Sequence, residues 1–315
     1  MGSEQNSTEE LSFRDRYRLF AEKEADLPIF SRPWWLDVMC GPENWDAYLV
    51  GKGNDIKASL VYYFQDEQGA RRIKRALLTQ NNGIYVRYPK GQGLIARQKY
   101  EEKIVDEILD HIESLGLASY DQQYNWHYKN YLPFFWRYYK EATKYTYVIE
   151  DTSDMAKVRA EYSADVRNLM RKAQKTVYVT ETISEEEFYR VNSLTFERQG
   201  ITIPYTFEQF SALYHACLEH HAGKLLAAAD EEGRVHSVAM IVWDDNYVYF
   251  LLNGTDPELK MSQSNYLLID ACIEEASKLQ KAFDFEGSVI RQVNHAFREF
   301  GGMPMPYFRI TKDFS

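Results

Sequence analysis

Near the C-terminal end of this 315-residue chain a carboxylate and two guanidinium groups fall close together. Glu286 lies in the run Phe283-Asp284-Phe285-Glu286-Gly287-Ser288, and Arg291 and Arg298 follow, seven positions apart. An apolar run ending on an acid and a Gly-Ser pair reads as a short buried strand that delivers Glu286 into a turn. Strand ends of this kind are where α/β sheets place their sites. The stretch from Val289 to Ala296 then reads as a helix, stopped by glycine in Phe297-Arg298-Glu299-Phe300-Gly301-Gly302; seven-residue spacing sets the two arginines on roughly one face. An acid beside two cations could move a proton and hold an anionic group. Glu286 is a candidate base or substrate anchor; the competing role is a salt bridge to Arg291 or Arg298 that fixes the turn. The arginines could take a carboxylate or phosphate in bidentate fashion, or lie on a solvated helix face.

A second group of cations, Arg167, Arg171 and Lys175 with Lys172 beside them, follows i, i+4, i+8 spacing, and Val166, Met170 and Ala173 form the apolar face behind it. Such a stripe in an acidic protein could hold a polyanionic donor or substrate, or be a solvated face. Trp34 and Trp35 are expected to anchor the core of the first half, with stacking against substrate as the alternative role for Trp34. No Ser-His-Asp or Cys-His order is evident, so direct attack by a bound amine is favoured over a covalent intermediate. His127, His215, His236 and His295 show no partners in the sequence. Cys40, Cys217 and Cys272 form no CxxC pair and the seven histidines no HExxH, which predicts no metal site and a reducing compartment.

The elements that must position these residues follow from periodicity. The chain has 45% hydrophobic residues, enough for a sizeable core. A net charge of −10 argues against general nucleic-acid binding. Residues 1–10 are polar and acidic and are expected to be disordered; no signal peptide or membrane span is apparent, which predicts a cytoplasmic protein. Helical spacing covers Leu11 to Lys23, and Ser31 with Pro33 opens a second helix that ends at Gly41. Strands are expected over Trp45 to Val50, Ile56 to Phe64 and Arg72 to Leu78. An amphipathic helix over Arg97 to Leu115 and a strand over Ala118 to Tyr124 follow. In the second half, Ser184 and Thr206 each begin a capping-box pattern. Strands at Leu225 to Ala229, Val235 to Trp243 and Tyr247 to Leu252, a helix over Asn265 to Lys278 and a strand over Ala282 to Glu286 complete it. Hairpin, strand, helix, strand thus occurs twice, with a boundary between Lys140 and Asp154.

This layout, the Glu286 strand-turn, the closing Phe297 to Gly302 segment with its final strand Pro306 to Thr311, and the basic Asp165 to Lys175 helix together resemble the GNAT acyltransferase superfamily. They are similar in particular to its Fem-type branch, which carries two GNAT-like subdomains and includes peptidoglycan-bridge aminoacyl transferases. The resemblance covers most of residues 28 to 312. It implies an α/β fold of two tandem subdomains, 11–145 and 146–315, each a mixed, mostly antiparallel sheet flanked by helices. It implies an N-acyltransferase using acyl-CoA, such as acetyl-CoA, ahead of aminoacyl-tRNA, and acting on an amine of a small-molecule, sugar or cell-envelope precursor. The alternative is a non-catalytic relative that binds a small ligand or protein. In GNAT folds the strand matching Tyr247 to Asn253 contacts the acyl carbonyl, so Tyr249 becomes a candidate general acid for the leaving group and Asn253 a substrate contact. The GNAT turn for the coenzyme A pyrophosphate is glycine-rich. Here the matching place reads Met261-Ser262-Gln263-Ser264-Asn265-Tyr266 without glycine, leaving Gln263, Ser264 and Asn265 at a helix N-terminus as the donor-binding candidates.

Overall fold

The computed structural model describes residues 11–53, 55–287 and 291–314. The expected disorder of residues 1–10 and the expected helix start at Val289 lie outside them, as does Ser288. The chain divides into two compact units. One comprises the residues up to Lys144 together with Pro306–Ser315, the other Tyr145–Met305. The final strand expected at Pro306 to Thr311, assigned by the sequence reading to the second half, therefore packs with the first.

The first unit opens with helices α1 (Phe13–Ala21) and α2 (Pro33–Cys40). Pro33 occupies the first turn of α2, where its missing N–H costs nothing, and Gly41 at φ 81° ends the helix. The cap preceding Pro33 is Arg32 rather than Ser31, which lies in a 3-10 turn. Strands β1 (Trp45–Lys52), β2 (Asp55–Glu67) and β3 (Ala70–Lys74) form an antiparallel meander, and β4 (Ile84–Val86) pairs with β2. Helix α3 (Leu94–Ser114) buries Ile104, Ile108 and Ile112 at four-residue spacing. Strand β5 (Ser119–Gln123) returns parallel to β3, and the short α4 (Leu132–Trp136) follows.

In the second unit β6 (Lys140–Ile149) leads in, and helices α5 (Met155–Glu161) and α6 (Ala164–Ala173) follow, then β7 (Tyr178–Thr180), α7 (Glu185–Glu197) and α8 (Phe207–Glu219). The Thr206 capping box is complete: Gln209 N donates to the Thr206 hydroxyl at 3.3 Å and Thr206 N to Gln209 Oε1 at 3.0 Å. At Ser184 only the hydroxyl cap forms. Strands β8 (Gly223–Ala229), β9 (Val235–Trp243) and β10 (Tyr247–Thr255) run antiparallel. Helix α9 (Ser264–Lys278) then crosses to β11 (Ala282–Asp284), which pairs parallel with β10 and antiparallel with β6. Helix α10 (Arg291–Glu299) and β12 (Met303–Asp313) close the chain, β12 pairing with β5 from Arg309 onward.

Strand β9 is buried without interruption from His236 to Val242, the mark of a strand covered on both faces. Ala239 and Ile241 pack with Val166 and Met170 of α6 and Leu268 and Cys272 of α9. Helices α7 and α8 pack against β8, β9 and β10. Gly254 permits the closest of these approaches, since a Cβ there would lie 2.6 Å from Asn192 Cα and 2.7 Å from the Val191 carbonyl oxygen.

Candidate active site

Strands β10 and β11 pair only from Tyr247–Ala282 to Tyr249–Asp284. Past this point β10 runs on to Thr255, while β11 has ended. The pairing of β10 with β9 also shifts register between Phe250 and Leu252, a bulge that re-aims the strand just where its parallel partner is lost. Glu286 lies two residues beyond the end of β11. It holds a left-handed backbone at φ 64°, and Gly287 follows at 62°. Left-handed conformation at a non-glycine residue is uncommon and is enriched where function demands it. Asp284 builds the turn: its Oδ1 accepts the Glu286 backbone N–H at 2.8 Å and the Thr146 hydroxyl. Gly287 is required because a Cβ there would meet the Tyr145 carbonyl oxygen at 2.2 Å.

Glu286 is 7% exposed and Asp284 3%. Burial, and then the neighbouring Asp284 charge, push the Glu286 carboxyl well above the usual carboxylate range. Arg291 and Arg298 are both exposed, and Arg298 lies 3.4 Å from its neighbour Glu299.

Tyr249, opposite Asp284 across the ladder, is buried and donates its hydroxyl to Asp244 Oδ2 at 2.8 Å. Burial and Asp244, with smaller contributions from Asp284 and Glu286, raise its pKa far above that of free tyrosine. Its proton is therefore tightly held and directed at Asp244. Asn253 contributes its backbone: its carbonyl accepts from Asn192 Nδ2 at 2.6 Å, which ties α7 to the end of β10. Trp34 belongs to the first unit, where it packs edge-on against Trp35 at 5.7 Å.

The basic stripe is only partly realised. Helix α6 ends at Ala173, so Lys175 lies beyond it. Arg167 donates to the carbonyls of Ala160 and Tyr162, and Arg171 to the Arg167 carbonyl and Asn168. Arg167 thus caps the C-terminal end of α5 and Arg171 stays on its own helix, whereas Lys172 and Lys175 are exposed.

The start of α9 forms a tight turn without glycine. Gln263 adopts the left-handed conformation, φ 61° and ψ 24°, that glycine ordinarily supplies at such turns, and it places no side-chain cap on the helix. Ser264 is 1% exposed, and its hydroxyl and the Asn265 side-chain oxygen are buried with no hydrogen-bond partner. The Ser264 hydroxyl and the backbone N–H groups of a helix N-terminus can donate to an acceptor ligand, whereas the Asn265 oxygen can only accept.

Behind this turn lies a chain the sequence did not disclose. His236 Nε2 meets Asp230 Oδ2 at 2.9 Å and His236 Nδ1 meets Ser262 Oγ at 2.9 Å, with Asp230, His236 and Ser262 all buried. Burial opposes ionisation of Asp230, but hydrogen bonds from His236 and Arg234 outweigh it and hold the carboxyl well below its usual range. An ionised Asp230 only accepts, so His236 Nε2 carries a proton. Ser262 Oγ also donates to the Leu259 carbonyl at 2.9 Å and lies 3.4 Å from Ser264 N. The array therefore links the β8–β9 turn to the first turn of α9. The separation of Asp230, His236 and Ser262 along the chain hides it; the only sequence signal is an acid and a histidine six apart flanking a hairpin. Among the described residues no group of three His, Cys, Asp or Glu could hold a metal ion.

Residues 156–288 match the family model of the acetyltransferase (GNAT) domain. The chain's fold is similar to the crystal structure of FemX, with a TM-score of 0.69 at 11% identity over 95% of this chain and 96% of that one. It is also similar to a conserved protein of unknown function from Bacteroides thetaiotaomicron, with a TM-score of 0.58 at 10% identity over 95% and 96% of the two chains. The structure of L-PGS from Bacillus licheniformis matches with a TM-score of 0.54 at 10% identity over 95% and 91%. No curated protein matches the chain.

Proposed function

We propose that the chain is a GNAT-type enzyme that transfers an acyl group from an activated donor to an amine; the match of residues 156–288 to the acetyltransferase (GNAT) domain model and the likeness of the fold to FemX support this reading. The observation that carries this reading is Glu286: a buried carboxyl of raised pKa, in a left-handed turn, placed where β10 and β11 cease to pair.

In the proposed reaction the amine enters as an ammonium group and is drawn to the Asp284–Glu286 corner. Its positive charge stabilises the ionised form of Glu286, which then takes the proton from nitrogen. The freed lone pair attacks the donor carbonyl and the C–N bond forms; as the bond to the leaving group breaks, the second proton on nitrogen passes to the leaving group, and the first is released from Glu286 to solvent. Tyr249 serves as a fixed neutral wall whose proton stays with Asp244. Acyl-CoA is the proposed donor, ahead of aminoacyl-tRNA. Its phosphates would be held at the Gln263–Asn265 turn by backbone N–H groups and the Ser264 hydroxyl, with Lys172 and Lys175 as outlying cations. Arg291 is proposed to attract an anionic group of the acceptor. The acceptor class we propose is an amine of a small-molecule, sugar or cell-envelope precursor.

The test is turnover of acyl-CoA thioesters with a panel of primary amines. Glu286→Gln is expected to lower kcat by about 10²–10⁴-fold, the span typical of a lost general base, with little change in donor KM. Full activity in that variant would refute the role of Glu286. Stabilisation by thioesters with no transfer to any amine would favour a binding protein instead.

A further inference from the structure

Helix α4 shows solvent the residues that a helix ordinarily hides. Pro133 and Phe134 are buried, whereas Leu132, Phe135 and Trp136, at i, i+3 and i+4, share the outer face and are 54%, 60% and 55% exposed. Tyr138 follows at φ 62° and is 87% exposed. The outer face of a surface helix is normally polar; here four large apolar or aromatic side chains project within seven residues. A contiguous patch of this kind on a folded protein marks an interaction site.

The charges around the patch are arranged unequally. Arg137 turns back onto α3, 2.7 Å from Asp110 and 3.2 Å from both Asp106 and Glu113. Lys312 bonds Glu113 at 2.7 Å and the Arg137 carbonyl at 2.8 Å. Two of the protein's own cations thus sit among the three acids behind the helix. Lys129 and Lys140, which bracket the segment, are exposed and form no ion pair among the described residues; Lys129 rests 5.6 Å over the Trp126 ring. Glu141, next along the chain, is half-buried and accepts the Thr143 hydroxyl. The four cations and four acids named here sum to zero, so on a chain of net charge −10 this face is locally neutral, with two exposed lysines to meet an anionic surface.

We propose that the 129–140 segment docks on a phospholipid bilayer, with Leu132 and Phe135 entering the acyl boundary and Trp136 and Tyr138 lying at headgroup level. Tryptophan and tyrosine favour that depth because each joins an apolar ring to a polar hydrogen-bonding group, and Lys129 and Lys140 meet anionic headgroups. Among the described residues no helix is long and apolar enough to cross a membrane, so the association is peripheral and reversible. The inference stands apart from the transferase reading, since no residue in it belongs to the candidate site.

Flotation of the full chain with phosphatidylcholine–phosphatidylglycerol vesicles tests it. The wild-type chain is expected to float and its tryptophan emission to move to the blue. The double variant Phe135→Ser, Trp136→Ser should bind at least about 10-fold more weakly, given the apolar area withdrawn from the lipid. Lys129→Glu with Lys140→Glu should abolish the preference for phosphatidylglycerol over phosphatidylcholine alone. All four side chains are exposed, so an unchanged melting temperature certifies the fold of each variant. Equal flotation of wild type and the double serine variant, or none by wild type, overturns the proposal. So does a concentration-dependent oligomer that the serine variant dissolves without any vesicle binding, which would make the patch a contact between copies.

Discussion

Replacing Glu286 by glutamine should make the protein more stable at neutral pH while making it less active. The carboxyl is 7% exposed, and burial and Asp284 raise its pKa in the folded chain. In the unfolded chain it ionises with a pKa of about 4.3. A group whose folded pKa is raised contributes its full stability below the unfolded pKa, and that contribution is lost as pH climbs towards the folded value. Over each pH unit in which the folded carboxyl keeps the proton that the unfolded one has released, the fold loses about 1.4 kcal/mol. Glutamine is neutral in both states and escapes this loss. A domain of this size responds by roughly 2–4 °C per kcal/mol, so the melting temperature of Glu286→Gln should pull ahead of wild type by roughly 3–6 °C per pH unit above about pH 5. The lead should level off once the folded carboxyl ionises. Calorimetry from pH 4.5 to pH 8 on both proteins reads this directly. A constant difference across that range, or a variant that falls behind as pH rises, would mean that Glu286 is ionised in the fold, and the proposed proton transfer would lose its basis.

The same shift sets the rate profile: kcat/KM should rise with pH along an acid limb displaced above the usual carboxylate range, and in Glu286→Gln the limb should vanish along with most of the rate. Ser262→Ala and His236→Ala remove the brace behind the α9 turn; donor KM should rise several-fold with a smaller change in kcat, and equal effects on acceptor KM would refute a donor-side role. Asp230→Asn should lower stability at neutral pH, and the deficit should close below about pH 4, because a carboxyl with a depressed folded pKa stabilises only above its unfolded value; a pH-independent deficit in thermal melts would count against an ionised Asp230. Gly254→Ala should cost about 1–3 kcal/mol in denaturant unfolding, since its Cβ would press on the Val191–Asn192 backbone, which cannot rotate away.

The parts of this molecule that local chemistry dictates could be read from the chain, and the parts that depend on distant residues could not. Pro33, Gly41, the Thr206 box and the four-residue spacing of Ile104, Ile108 and Ile112 act within one turn of their own element, so their helices were legible. Glu286 was legible for the same reason, as an acid at the end of a short apolar run before glycine. Its partners were not. Spacing put Arg291 and Arg298 on one helix face, but spacing says nothing about which way that face turns, and both guanidinium groups project to solvent. What shapes Glu286 instead is Asp284, which bonds its backbone, and Thr146, more than a hundred residues away, which bonds Asp284. The turn before α9 makes the converse point. The absence of glycine argued against the turn, yet Gln263 takes the left-handed conformation anyway. Such strain at a non-glycine residue costs of order 1–3 kcal/mol, and the buried Asp230–His236–Ser262 array is positioned to hold it. A motif defined by residue type misses a turn held by its surroundings: here the left-handed residue is Gln263, and the three buried side chains behind it, Asp230, His236 and Ser262, are linked by no local pattern.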